Sequence, residues 1–286
     1  MNEQKYVVLY HANCPDGCGA AMAAWICLGD IDADYIPVSY GQPLPPIPKG
    51  AIVYILDFSY PRAVLEQIAT THQLFVLDHH ATAEQELAGM PGCQFDLNSS
   101  GAVMAWRHFH PHTPVPEFFA YLQDRDLWRF KLPMSREVSM ALRSYPMDFR
   151  GWMRLMSQMP RLMDEGVACR RLTDQQVDLM ARNHGWAWFE FQITPARVSF
   201  HARDQRPCGP GLVIPCANAT VFFSEVGERL LDLHPSADCA AYYLDRADGK
   251  RQWGLRSRPE FDASRLARAM GGGGHPQAAG FVTELK

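Results

Sequence analysis

The chain has 286 residues, of which 47% are hydrophobic and 20% charged, as in a soluble globular protein with one large domain or two ordinary ones. A formal net charge of -4 excludes a general attraction to nucleic acid, so binding of RNA or DNA would need a local basic patch. Neither a signal-peptide pattern nor a membrane-spanning apolar run is found, and the eight scattered cysteines suit free thiols. We therefore predict a cytoplasmic protein without membrane association.

The first predicted unit is a strand followed by a helix. Tyr6 to Tyr10 form an apolar run that predicts a buried strand, and an alanine-rich helix covers about residues 20–25. The turn between them, HANCPDG, contains His11 and Asp16 as candidate metal ligands. Cys14 and Cys18 lie in the same stretch, but no second Cys/His pair with zinc-finger spacing follows.

Two more predicted strands end in side chains that bind metals. Residues 51–56 form one strand, which is followed by Asp57 and by an amphipathic helix over 61–71. Residues 73–77 form the next strand, which runs directly into Asp78-His79-His80. Open α/β sheets build their ligand sites at the carboxyl ends of parallel strands. The three strand ends therefore predict a single metal site at one edge of a parallel sheet.

Two helix ends downstream offer further candidate contacts. Ser100 precedes a helix that reaches about residue 108, so its turn either caps that helix or presents N–H groups to a phosphate. A second helix begins near residue 117 and ends in the sequence QDRDLWRF, over 123–130. Acidic, basic and aromatic residues alternate there, which favours contacts to a metal, a phosphate and a base over an exposed salt-bridged helix end.

The rest of the chain indicates a linker and a second domain. Residues 149–188 show a methionine-rich helical pattern, and short strand-like runs follow after 194. The run GGGGHPQAAGF, over 271–281, closes the domain. We interpret its four glycines as backbone that approaches an anion rather than as packing, with His275 donating to the same group. The predicted domains are 1–150, a helical linker over 151–193, and 194–286.

Together these motifs resemble the DHH phosphoesterase superfamily, in the subfamily that has a DHH-associated C-terminal domain and includes nanoRNases and cyclic-nucleotide phosphodiesterases. The resemblance covers essentially the whole chain. It implies an α/β fold, in which an N-terminal parallel-sheet DHH domain binds metals and a smaller C-terminal α/β domain, joined by the helical linker, binds substrate.

The resemblance also implies roles for individual residues. The implied metal ligands are His11, Asp16, Asp57, His79 and Asp126, with Asp57 bridging two ions. Asp126 matches the family pattern better than Asp124. The implied catalytic residues are Asp57, His80 facing the substrate, and Asp78 orienting the histidines. The candidate substrate contacts are Ser100, Arg129, Arg256, Ser257, Gly272, Gly273, Gly274 and His275.

One departure from the family concerns the first motif, which usually has two aspartates one residue apart. Only Asp16 is present, and the missing carboxylate falls at Cys14 or at Cys18, depending on the alignment. A neutral thiol is a poorer ligand for a hard cation than a carboxylate. We expect two Mn²⁺ ions, with Mg²⁺, Co²⁺, Fe²⁺ or Zn²⁺ as competitors.

The predicted function is a phosphodiesterase that cuts short oligoribonucleotides or linear or cyclic dinucleotides to mononucleotides, through a hydroxide activated by two manganese ions. The alternatives are a cyclic mononucleotide phosphodiesterase, a polyphosphatase-like enzyme, and a nucleotide-binding protein with impaired catalysis. We expect no long duplex nucleic acid as partner, and the oligomeric state stays open.

Overall fold

A computed structural model describes residues 5–191 and 197–285. The chain divides into two compact units, Met1–Arg170 and Arg171–Lys286. Among the described residues, no helix combines the length and the apolar character that crossing a bilayer requires. All eight cysteines are free thiols.

The first unit is built on a parallel sheet with the strand order β2-β1-β3-β4-β5. Its strands are β1 (Tyr6–His11), β2 (Ala33–Val38), β3 (Ile52–Leu56), β4 (Gln73–Asp78) and β5 (Cys93–Phe95). The helices of this unit are α1 (Pro15–Leu28), α2 (Arg62–Ala69), α3 (Ala81–Glu86), α4 (Gly101–Phe109), α5 (Glu117–Asp126), α6 (Ser135–Leu142) and α7 (Phe149–Met156). Helix α8 (Met159–Arg182) contains the boundary between the units.

Both faces of this sheet are covered by apolar side chains. Val8 of β1 belongs to the core that includes α1 and α4, whereas its neighbours Val7 and Leu9 belong to the core on the other face. Side chains alternate between the faces of a strand, so a strand buried on both sides needs a continuous apolar run. This accounts for the uninterrupted hydrophobic sequences of β1, β3 and β4, and the predicted parallel sheet is confirmed.

The second unit has a mixed sheet with the strand order β11-β12-β10-β9-β8-β6-β7. Its strands are β6 (Gly185–Glu190), β7 (Arg197–His201), β8 (Leu212–Asn218), β9 (Cys239–Asp245), β10 (Lys250–Ser257), β11 (Gly273–His275) and β12 (Ala278–Glu284), with α9 (Phe223–Leu233) and α10 (Ala263–Ala269). In this second sheet, β8 and β9 are the only neighbouring strands among the described residues that pair in parallel. Phe189, Trp253 and Phe281 are buried in its core.

The structure differs from the sequence analysis at several elements, among them β6 and β2. The helical pattern predicted to reach residue 188 ends at Arg182, and residues 185–190 form β6 instead. Strand β2 was not predicted at all. The proposed domain limits of 1–150, 151–193 and 194–286 stay predictions, because the junction at 193 and 194 lies outside the described residues.

Candidate metal centre

The centre lies where three neighbouring parallel strands end. His11 is the last residue of β1, Asp57 follows β3, and His79 follows β4. Asp57 has a left-handed φ of 62°, and its N–H donates to Leu77 O at 3.0 Å. A non-glycine residue in this conformation is uncommon and is found most often where the local structure fixes a side chain for function.

The carboxylate of Asp57 faces two groups of side chains at once. Its Oδ1 lies 3.2 Å from His79 Nε2, and its Oδ2 lies 3.4 Å from His11 Nδ1. Asp57 is only 1% exposed. A carboxylate that is shared by two cations is expected to direct its two oxygens to different ligand groups, as Asp57 does.

Asp16 reaches the centre from the first turn of α1, and the start of α4 fixes it there. The Gly101 N–H donates to Asp16 Oδ2 at 2.6 Å, and the Ala102 N–H donates to Asp16 Oδ1 at 3.1 Å. A helix amino terminus stabilises a nearby anion, and here that anion is a side chain of the protein itself. His79 Nε2 is 3.9 Å from Asp16 Oδ2.

Gly101 allows α4 to approach the centre closely. A Cβ atom at this position would lie 2.6 Å from Asp57 Cβ and 3.0 Å from Asp16 Oδ2. Side chains that touch at such distances must shift, so only glycine suits this position. The sequence analysis noted the turn but had no signal for this requirement, because the contacts come from strands far away in the chain.

Asp126 and Asp124 have different partners, although they are two residues apart. Asp126 Oδ2 lies 3.5 Å from His79 Nε2 and, among the described residues, is a buried oxygen without a hydrogen bond. Asp124 Oδ1 and Oδ2 instead accept the N–H groups of Lys131 and Leu132, at 3.0 and 3.1 Å. Asp126 is therefore the aspartate at the centre, whereas Asp124 holds the loop after α5.

Cys14 and Cys18 also lie in different surroundings. Ligand atoms of His11, Cys14 and Asp57 are all within 4.8 Å of one another. Cys18 is 2% exposed and packs in the apolar core of the first unit. Of the two positions left open by the sequence, it is Cys14 that takes the place at the centre.

Asp78 organises the two histidines that follow it. Its Oδ1 accepts the His79 N–H at 2.7 Å and contacts His80 Nδ1 at 2.6 Å, while its Oδ2 accepts the Ser59 hydroxyl at 2.6 Å. Burial would lower the pKa of His80, but the hydrogen bond to Asp78 raises it above the ordinary value. The Nδ1 side of the ring is thus held by the protein, and Nε2 lies on the opposite side.

The remaining charges of the centre shift one another's protonation. Burial, and then the charges of Asp57 and Asp126, raise the pKa of Asp16 well above its usual range. Burial would lower the pKa of His79, but the hydrogen bond to Asp57 and the charges of Asp126 and Asp16 raise it to about 10. Carboxylates crowded in this way hold protons unless another positive charge replaces them.

A divalent cation fits this donor set. Ligand atoms of Asp16, His79 and Asp126 lie within 4.8 Å of one another, as do those of the group that contains Cys14. Carboxylate and imidazole ligands suit Mn²⁺ and its competitors, and the buried, unsatisfied Asp126 Oδ2 leaves an oxygen for one of them. The two groups could thus hold two cations side by side, with Asp57 between them.

A cavity of about 740 Å³ adjoins the centre within the first unit. Its walls include Tyr40, Leu44, Phe58, Ser59 and Tyr60. The Tyr40 ring lies edge-on 5.3 Å from the ring of His11 and 6.3 Å from that of His80, and the residue is 57% exposed. The sequence analysis missed this cavity, because the loop that forms it is a proline-rich stretch without a recognisable motif.

Two predicted substrate contacts lie in the first unit. Ser100 is fully buried, and its Oγ accepts the Val103 N–H as the cap of α4. The next two N–H groups bind Asp16, so the structure does not support a phosphate contact at Ser100. Arg129 is exposed and donates to Asn98 O at 2.8 Å.

The other predicted contacts lie in the second unit. Arg256 on β10 donates to Ser224 Oγ at 2.6 Å, and the Ser257 hydroxyl donates to Phe261 O at 2.6 Å. Gly273, Gly274 and His275 form β11. Their contact with a substrate stays a prediction.

The reason given for the glycine run needs a correction. A Cβ atom on Gly272 would lie 2.0 Å from Gly280 O, and one on Gly274 would lie 2.6 Å from Ala278 O. The N–H groups of Gly271 and Gly272 donate to Arg268 O and Ala267 O, which ends α10. Close packing against β12 and helix termination therefore explain glycine at these positions, contrary to the prediction that packing could not.

No model of a described protein family matches the chain. The uncharacterized protein R106 of Acanthamoeba polyphaga mimivirus is 31% identical over 304 residues, which cover 98% of this chain and 68% of that protein. The chain belongs to the same family as this mimivirus protein. The α/β fold, with a parallel sheet in the first unit, is the fold that the resemblance to the DHH phosphoesterase superfamily implies.

Three solved structures are similar to this chain over nearly its whole length. The pGpG-specific phosphodiesterase PggH of Vibrio cholerae is 12% identical with a TM-score of 0.48, covering 98% of this chain and 94% of that one. RecJ of Thermus thermophilus in complex with Mn²⁺ is 16% identical with a TM-score of 0.47, covering 98% of this chain and 50% of that one. A manganese-bound exonuclease RecJ is 15% identical with a TM-score of 0.47, covering 99% and 87%.

Proposed function

We propose that this protein is a phosphodiesterase, dependent on divalent cations, that hydrolyses short oligoribonucleotides or linear or cyclic dinucleotides to mononucleotides. The observation that carries the proposal is the pair of ligand groups on either side of Asp57. A centre with two cations suits in-line displacement at phosphorus, because it stabilises both the attacking and the leaving oxygen.

Residues of the first unit would have two roles, metal binding and proton transfer. His11, Cys14, Asp16, Asp57, His79 and Asp126 would hold the cations. When bound, the cations would supply positive charge against the phosphate and make an attacking water more acidic. Asp78 keeps the His80 ring in place, and we assign His80 Nε2 to proton transfer at the leaving oxygen. A raised pKa suits His80 for donating a proton near neutral pH.

The cavity beside the centre favours a substrate that has an aromatic base next to its phosphate. Its volume lies within the range of small-molecule sites, and its walls combine aromatic rings with a few polar groups. Exposed aromatic rings stack on nucleobases in a sequence-tolerant manner. A bounded cavity of this size accepts a ligand of small-molecule dimensions, which favours a short substrate over a long strand.

The proposal is tested by an activity panel with added Mn²⁺. Linear dinucleotides, cyclic dinucleotides, cyclic mononucleotides, inorganic polyphosphate and RNA of increasing length are incubated with the full chain. We expect mononucleotide products from dinucleotides, and rates per end that fall steeply as the RNA lengthens from two to about ten nucleotides. Faster turnover of polyphosphate or of cyclic mononucleotides would overturn the proposed substrate, and equal rates on a long strand would overturn the short-substrate claim.

Cys14 favours a second candidate function, a nucleotide-binding protein with impaired catalysis. The thiol stands at the centre where the family usually has a carboxylate, and thiols bind hard cations more weakly. Tight binding of a dinucleotide without turnover, in any of the cations offered, would favour this candidate over the enzyme.

A further inference from the structure

The two ligand groups of the centre differ in chemistry. Asp16, His79 and Asp126 offer one imidazole and two carboxylates, a set for a hard or borderline cation. The other group offers the imidazole of His11, the sulfur of Cys14 and a carboxylate oxygen of Asp57. Sulfur ligands shift a site toward zinc, iron and cobalt and away from manganese and magnesium.

The start of α1 places the Cys14 sulfur within 4.8 Å of ligand atoms of His11 and Asp57. Cys14 is the N-cap of α1, with extended φ and ψ of -117° and 125°, and its side chain makes no capping hydrogen bond. Asn13, just before it, has a left-handed φ of 55°. Uncommon backbone conformations of this kind are found most often at functional sites.

A second observation also points to a ligand at this position. Asp57 is 1% exposed, and its Oδ2 faces His11 Nδ1 at 3.4 Å without the geometry of a hydrogen bond. Both polar atoms are buried, and leaving such atoms without a hydrogen bond is costly. A cation between the oxygen, the nitrogen and the sulfur would satisfy all three.

We propose that His11, Cys14 and Asp57 form a sulfur-containing position that selects Zn²⁺ or another thiophilic cation, beside a position for Mn²⁺ or Mg²⁺ formed by Asp16, His79 and Asp126. The loaded centre is then heterometallic. This inference deepens the proposed function, because it rests on the same centre holding cations, but it does not depend on which substrate is cut.

The first test follows the metals without measuring activity. The metal-stripped full chain is equilibrated with excess Mn²⁺ and increasing amounts of Zn²⁺, freed of unbound ions and analysed for its elements. Because nitrogen and oxygen sites also bind Zn²⁺ more tightly than Mn²⁺, we expect one Mn²⁺ of the unaltered chain to be displaced by the first Zn²⁺ added, and the same displacement in Cys14→Asp to need about tenfold more Zn²⁺ or higher. Two Mn²⁺ retained by the unaltered chain, or displacement by the same amount of Zn²⁺ in Cys14→Asp, would overturn the inference.

The second test detects the bond between the Cys14 sulfur and a metal ion by absorption spectroscopy. Co²⁺ bound by a thiolate absorbs in the near ultraviolet through sulfur-to-metal charge transfer, and carboxylates and imidazoles do not give this band. We expect the band in the unaltered chain and in Cys18→Ala, the matched control in the core, and its loss in Cys14→Asp and Cys14→Ser. A chain that binds Co²⁺ without the band, or a band that survives in both Cys14 variants, would contradict the assignment.

The two proposals fail in different ways. If the cobalt charge-transfer band and a mixed metal content are found but no phosphodiester is hydrolysed, the proposed function is wrong and the heterometallic centre is retained. If two Mn²⁺ ions support hydrolysis and the cobalt band is absent, the heterometallic centre is wrong and the proposed function is retained. A chain that binds no cation at all would overturn both.

Discussion

Asp57 is the residue that connects the two ligand groups of the centre, because each of its carboxylate oxygens faces a different group. Replacing it with asparagine keeps the shape of the residue but removes the shared negative charge. Because a cation stabilises the charged transition state by several kcal/mol, we expect Asp57→Asn to lower kcat by about a hundredfold or more. The far-ultraviolet circular dichroism should not change.

Asp34→Asn serves as the control for this substitution. Asp34 is exposed on β2, in the same unit but away from the centre. Its variant should keep normal kcat and normal metal content. Near-normal turnover in Asp57→Asn would remove the model of two cations sharing that carboxylate.

Gly101 is a second residue on which the centre depends, because there is no room for a side chain at this position. We expect Gly101→Ala to destabilise the fold by about 1–3 kcal/mol, because overpacking forces neighbours to shift. It should also weaken metal binding, since the new methyl group pushes on Asp57 and Asp16. Metal titration by calorimetry and denaturation by urea measure the two effects separately.

Gly166→Ala separates a general loss of stability from damage to the centre. A Cβ atom there would lie 2.2 Å from Glu137 O, which strains the contact between α8 and α6 and touches no residue of the centre. This variant should lose stability but bind metal normally. Equal metal affinities for the two alanine variants would contradict the role assigned to Gly101.

The candidate ligands His11, Asp57 and His79 could be predicted from the sequence because each stands at the end of an apolar run typical of a strand, whereas Asp16 and Asp126 lie on helices. The roles of Ser100 and Gly101 could not be predicted from the sequence. A serine before a helix predicts a cap or an anion site equally well, and only the fold shows that Asp16 occupies the helix terminus. The choice between Cys14 and Cys18 likewise needed the first turn of α1 in three dimensions.

At the scale of elements, the end of α5 shows how two neighbouring aspartates serve different purposes. Asp124 is 6% exposed and accepts two backbone N–H groups of the following loop, in which Trp128 and Phe130 have left-handed φ values of 55° and 47°. We expect Asp124→Ala to destabilise the first unit by about 1–3 kcal/mol, the penalty for leaving buried donors unsatisfied. Urea denaturation measures this loss.

Asp126→Asn is the companion variant on the same helix. It should change stability little but weaken metal binding, because Asp126 Oδ2 faces His79 and not the backbone. Metal titration of both variants distinguishes the roles. A larger loss of metal affinity in Asp124→Ala than in Asp126→Asn, at temperatures where both are folded, would reverse the assignment.

The loop between β2 and β3 is the element that we connect to substrate specificity. Stacking of one base on an aromatic ring contributes about 1–3 kcal/mol, so Tyr40→Ala should raise KM for a dinucleotide by about tenfold. Tyr40→Phe keeps the ring and should behave almost like the unaltered chain. A small alkyl phosphodiester without a base should be cut equally well by all three proteins, and a matching loss on that substrate would argue against base stacking.

Strands β2 and β6 were not predicted, and each has a physical reason. Strand β2 contains Pro37 and lies at the edge of its sheet, where a proline is tolerated and polar residues replace the apolar run of a central strand. Strand β6 follows α8 after a short break, and its Trp186, Trp188 and Phe189 continue an apolar pattern that reads equally well as helix. These residues form a strand because they pair with β7 and β8, and this pairing is not visible in the local sequence.

For the whole molecule, we propose that a negatively charged chain can cut phosphodiesters because cations, and not a basic surface, neutralise the phosphate. The formal net charge of -4 and the carboxylates gathered around His79 both fit this claim. Without cations, the same carboxylates would repel the substrate.

The most direct measurement is hydrolysis of a linear dinucleotide by the metal-stripped chain, before and after divalent cations are restored. We predict no turnover in the presence of chelator, and release of mononucleotides once Mn²⁺, or Mn²⁺ with Zn²⁺, is returned in excess. Turnover that persists in the stripped chain, or none with any cation offered, would contradict the account.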